Sequence, residues 1–212
     1  MRPSVSRYRE LAELQRKLAP KVCRYDDFQS AEIFCGVDAS YIDNTAFCAA
    51  VVMNLKLELL ELRKHKVEVR YPYVPGYFML REAPVVKRIL SRVKTKFDVL
   101  LIDGHGILHP RRCGLASYLG ITLGKPSIGI AKSLLCGKVK EDNFIEHEGE
   151  ILGYALKQSA SRYTYVSTGH RIGLDTAVKF VKMLTKAGHT LPEPIHLADL
   201  SSKQKKREEL RR

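Results

Sequence analysis

Apolar residues recur at steps of three and four through residues 4–19, where Val5, Tyr8, Leu11, Leu14 and Leu18 are separated by charged positions and followed by Pro20. That spacing predicts an amphipathic helix. Residues 32–42, 46–55 and 57–69 then read as three extended segments, with turns at Asp43-Asn44 and at Asn54 to Lys56. Connections this short favour an antiparallel meander. Helical spacing returns over 82–94, where Val85, Val86, Ile89, Leu90 and Val93 share one face and Pro84 suits the first turn. The run FDVLLID, residues 97–103, is almost continuously apolar and ends in an acid, as a buried parallel strand does. After the glycine-rich GHGILHPRRCG, the pattern predicts a helix over 113–121 and strands over 127–131, 151–156 and 163–167. A helix over 174–186 and a closing basic helix from near Pro194 complete the chain. The order βββ-α-β-α-β implies an α/β, ribonuclease H-like mixed sheet: three antiparallel strands followed by parallel strands, flanked by helices. In that arrangement the first strand lies beside the first parallel strand, and residues 1–212 form a single domain.

Composition narrows the chemistry. With 45% hydrophobic residues in 212, the chain is long enough for one sizeable core. Lys and Arg total 36 against 23 Asp and Glu, and the net charge of +13 points to a polyanionic partner. Cys23, Cys35, Cys48, Cys113 and Cys136 are odd in number and show no C-x-x-C spacing, so neither a disulfide framework nor a zinc cluster is indicated. A reducing cytoplasm fits. No apolar run approaches the 18 residues of a membrane span and the N-terminus has no signal-peptide core. The segment Gly120 to Lys125 has the wrong spacing for a phosphate-binding P-loop.

Three acids stand at positions where they would meet. Asp38 lies mid-strand in IFCGVDASY, Asp103 ends FDVLLID, and Glu82 opens the intervening helix. Carboxylates facing one point repel unless a divalent cation lies between them, and hard oxygen donors favour Mg²⁺ or Mn²⁺. Taken singly, each also fits a plainer role as a turn residue, a helix cap or a complement to a helix dipole.

The segments VDASY, YPYVPGYFMLRE and LIDGHGILHPRRCGLASYLG, with the later IGIAKSLL and LPEPIHLAD, resemble the successive signatures of the endonuclease V family of deoxyinosine-specific nucleases. The resemblance covers about residues 30–200. It implies a metal-dependent DNA repair enzyme that reads hypoxanthine and hydrolyses the second phosphodiester bond on its 3′ side, leaving 3′-hydroxyl and 5′-phosphate ends. By motif position Asp38, Glu82 and Asp103 would bind Mg²⁺, with Mn²⁺ as a substitute, and Asp199 would be an outer ligand acting through water. Lys132 would lie near the scissile phosphate.

By the same resemblance Gly76, Gly104, Gly114 and Leu115 are candidates for the base pocket with His109, and loop backbone can approach a base edge closely. His105 and His170 are weaker contact candidates. A base must leave the stack to be read, and Tyr73, stiffened by Pro72 and Pro75 and followed by Val74, would wedge the duplex apart. These readings describe a monomeric cytoplasmic enzyme whose partner is deoxyinosine-containing DNA, or inosine-containing RNA. Another ribonuclease H-like nuclease, or a silent nucleic-acid-binding module, shares parts of the same pattern.

Overall fold

The computed structural model describes residues 5–69, 71, 74, 76–159 and 162–211, with side chains from Tyr8 onward. One mixed sheet of nine strands runs through the described residues. Strands β1 (Ile33–Ile42), β2 (Thr45–Asn54) and β3 (Leu59–Glu68) form the predicted antiparallel meander. Strand β4 (Val99–Asp103) runs parallel beside β1, and β5 (Ser127–Ala131) runs parallel beside β4. The parallel portion stops there. Strands β9 (Tyr163–His170), β8 (Glu150–Lys157), β7 (Phe144–His147) and β6 (Lys138–Val139) extend the sheet antiparallel. The last two are short, and the sequence KV or FIEH offers no period from which to read a strand.

Alternation along the central strands feeds two cores. Cys35 and Val37 of β1, with Leu100 and Ile102 of β4, face helices α2 (Phe78–Leu90) and α3 (Leu115–Leu123). Phe34, Val99 and Leu101 point the other way, towards α4 (Leu174–Leu184) and the start of α5 (Glu193–Leu210). Burial on both faces is why β4 is an unbroken apolar run. No helix among the described residues is long and apolar enough to cross a membrane.

Two helices differ from their sequence reading by more than a two-residue shift at an end. α2 starts at Phe78, four residues early, because Met79 joins Val85, Val86 and Ile89 in the core. Glu82 therefore sits a turn inside the helix, and Pro84 lies in its interior rather than its first turn. In α1 (Val5–Leu18) the buried face is Leu11, Ala12 and Gln15, while Leu14 is exposed. A polar residue on the packed side rotates the stripe away from the one apolar spacing predicts.

Gly36 determines how close α5 comes to β1. A Cβ there would lie 2.3 Å from the Pro194 carbonyl carbon and 2.5 Å from the Ile195 nitrogen. Gly36→Ala is expected to push α5 off the sheet at a cost of about 1–3 kcal/mol. A thermal melt checks the cost; an unshifted melt would mean α5 has room to spare.

Candidate active site

Strand register brings the first two acids together. Val37 of β1 pairs with Ile102 of β4, so the next residues, Asp38 and Asp103, emerge side by side at the carboxyl end of the parallel strands. Ligands of open α/β sheets bind at such ends. A cavity of about 640 Å³ opens here, and its wall includes Asp38, Glu82, Asp103 and Lys132.

The acids strain against one another. Burial, with the charges of Asp103 and Asp199, pushes the Asp38 carboxyl up to about 7. Burial also raises Glu82 to about 7, although Tyr41 and Arg81 beside it act the other way. Arg81 stacks over the Tyr41 ring at 4.1 Å, and its guanidinium donates to the Tyr71 and Asp43 carbonyls. Lys132 Nζ donates to Asp103 Oδ2 at 2.8 Å. Burial opposes the Lys132 charge, but Asp103, helped by Asp38 and Asp199, outweighs it and raises its pKa.

Asp199 on α5 accepts from Lys203 at 2.7 Å and acts on Asp38 through its charge, without forming part of the cavity wall. Among the described residues no three carboxylate, imidazole or thiolate groups are grouped closely enough to hold a metal ion as they stand. The donor chemistry nonetheless fits a hard divalent cation: one buried and two half-buried carboxylates that repel one another, with a lysine ammonium as the positive charge directly paired with Asp103.

Gly76, Gly104, His109, Gly114 and Leu115 line the same cavity as the acids. Gly76 and Gly104 have φ of 76° and 154°, a region glycine enters at no steric cost. A Cβ on Gly114 would lie 2.3 Å from the His105 carbonyl oxygen, so this wall closes only around glycine.

His109 is 3% exposed, and its pKa is lowered to about 4 by burial and by the neighbouring Arg111. The neutral ring accepts the Arg111 amide N–H at Nδ1 (3.1 Å) and donates from Nε2 to the Gly76 carbonyl (3.2 Å). It holds the wall and carries no charge for a phosphate. His105 reaches the Ser133 carbonyl at 3.0 Å, beside Lys132, and burial lowers its pKa to about 4.

The proposed wedge residues Tyr73, Pro72 and Pro75 lie outside the described residues. Val74 is half-buried, and its carbonyl accepts the Tyr77 amide N–H at 3.0 Å. His170 caps the end of β9, accepting the Cys23 amide N–H at 3.2 Å. Sequence reasoning passed over Gln15, Tyr41 and Arg81, which also line the cavity. Tyr41 stood within VDASY, and Gln15 sat four residues after Leu11 on the buried side of α1. Arg81 carried no signal, because its role depends on a ring and two carbonyls that only folding brings near.

The sequence matches the model of the Endonuclease V family over residues 16–200. Endonuclease V of Dictyoglomus turgidum is 38% identical over 206 residues, covering 93% of this chain and 90% of its own. Endonuclease V of Thermofilum pendens is 42% identical over 178 residues, covering 81% and 77%. Among solved structures, Ciona intestinalis endonuclease V superposes with a TM-score of 0.88 at 29% identity, covering 97% of this chain and 99% of that one. That protein is bound to a 24mer DNA containing an inosine followed by a ribo-adenosine. The catalytic domain of human endonuclease V gives a TM-score of 0.87 at 26% identity, covering 98% and 99%.

Proposed function

The chain belongs to the endonuclease V family of nucleases, and we propose that it recognises deoxyinosine in DNA and hydrolyses the second phosphodiester bond on its 3′ side. The products would be 3′-hydroxyl and 5′-phosphate ends, and the enzyme a single-domain, cytoplasmic monomer. One observation carries this reading: the buried Glu82 and the half-buried Asp38 and Asp103 share one cavity with Gly76, Gly104 and Gly114. A general nuclease needs only the acids. A pocket lined by loop glycines beside them gives a base somewhere to be inspected.

In this reading Asp38, Glu82 and Asp103 would hold Mg²⁺, with Asp199 acting from α5 at one remove, and the bound ion would supply Lewis-acid polarisation of the phosphate and a lowered pKa for the attacking water. The chain's own groups supply the rest. Lys132 keeps a positive charge next to Asp103, where it offsets charge developing on the phosphate. His109 stays neutral and fixes the Gly76 carbonyl. Tyr73, between Pro72 and Pro75, fills the gap left by the expelled base.

Matched duplexes with and without one deoxyinosine, incubated with Mg²⁺, test the reading. Cleavage confined to the inosine duplex, at one bond 3′ to the lesion, is the expected outcome, and equal cleavage of both removes the base-reading role. The ribo-adenosine in the Ciona complex favours adding an inosine-containing RNA arm. Faster cleavage of the RNA would make the enzyme an inosine-directed ribonuclease.

A further inference from the structure

Gln15 is 1% exposed on the packed side of α1, beside the buried Leu11 and Ala12. Burying a primary amide is costly unless both of its ends find partners. Here both do. Nε2 donates to the Cys113 carbonyl at 2.8 Å and to the Gly76 carbonyl at 3.4 Å, and Oε1 accepts from Arg111 Nε at 2.7 Å. Arg111 Nη2 in turn donates to the Gly76 carbonyl at 2.6 Å, and His109 adds a third donor to the same oxygen. The Arg111 guanidinium also stacks on Tyr77 at 4.5 Å, and Tyr77 packs on Tyr8 of α1 at 5.2 Å.

We propose that Gln15 is a specificity-determining positioning residue. Through Arg111 and the Gly76 carbonyl it fixes the turn that walls the base pocket, so that α1 takes part in selecting the base without touching the reacting atoms. The proposal rests on the base-reading function above. Its physical ground is that Gly76 sits at a φ of 76°, where glycine backbone is free to move, while a pocket that reads edges with backbone groups must hold them to within about 0.5 Å. The three donors converging on one carbonyl supply that rigidity. Gln15 alone among them also ties Cys113, beside the Gly114 wall, into the same unit.

Single-turnover cleavage of the inosine duplex by wild type and Gln15→Met tests this, with an inosine-free duplex run alongside. Met keeps the length and volume and removes both donors and the acceptor. The expected result is a rise of about tenfold in KM for the inosine duplex, with the loss concentrated in KM rather than kcat. If Gln15→Met does not fold, Arg111→Lys serves instead, because a lysine keeps the charge and cannot bridge Gln15 and Gly76 together. That variant should show the same KM-weighted loss. A wild-type preference for inosine that survives undiminished in whichever variant folds overturns the clamp alone. Equal cutting of both duplexes by wild type overturns the base-reading function, and the clamp with it.

Discussion

Asp38→Asn is expected to lose cleavage by about 10³-fold or more while gaining stability. Activity falls because one of the oxygen donors facing the cavity is replaced by a neutral amide. Stability rises because burial and the nearby acids hold the Asp38 carboxyl at about 7 against a usual 3.8. A carboxyl raised in this way contributes stability that is full below about 3.8 and is lost as pH rises through about 7. In chelator, therefore, the variant should melt several degrees above wild type at pH 8, and the gap should close by pH 4. Added Mg²⁺ should narrow it by stabilising wild type preferentially. Single-turnover cleavage and melting curves at the two pH values check both halves. Wild-type cleavage by the variant would sink the assignment of Asp38 to the metal, and equal melting at pH 8 would mean that its carboxyl is compensated in the folded chain.

Lys132→Met is expected to lower kcat by about 10²-fold, with little change in KM or in melting temperature. The two effects separate because of where the pair sits. The Lys132 side chain is 55% exposed, so its 2.8 Å pair with Asp103 contributes at most about 1 kcal/mol to folding. In the proposed mechanism a phosphate arriving at the acids would meet the same ammonium in a site from which the substrate excludes water, where one charge is worth far more. The measurement is single-turnover cleavage at saturating substrate, beside a thermal melt. An unchanged kcat would leave Lys132 as an ordinary strand-end lysine.

Much of this site is legible in the sequence because its parts are short and local. FDVLLID announces a buried strand with an acid at its end, and the turns around Asp43-Asn44 and Lys56 leave β1 to β3 little choice but antiparallel pairing. The glycines at 76, 104 and 114 and the acids at 38, 82 and 103 all reach the cavity to which their motifs point. Less legible were the elements whose stability comes from elsewhere. β6 and β7 have too few residues to show a period and exist because β8 offers them an edge. α2 begins at Phe78 because Met79 finds the core, overriding the prediction that Pro84 belongs in the first turn.

The sequence by itself determined the order of the elements other than β6 and β7, the family and the residue types of the site, because hydrophobic period, turn chemistry and motif spacing are properties of neighbouring residues. Tertiary structure alone decided which groups act on which. It set the one-residue step that brings Asp38 beside Asp103, the pairing of Lys132 with Asp103, the neutral state of His109, and the convergence of Gln15, His109 and Arg111 on the Gly76 carbonyl. Each of these depends on distance and burial between residues far apart in the chain. Electrostatic and hydrogen-bond energies fall off over a few ångströms of space, and sequence separation carries no record of that distance.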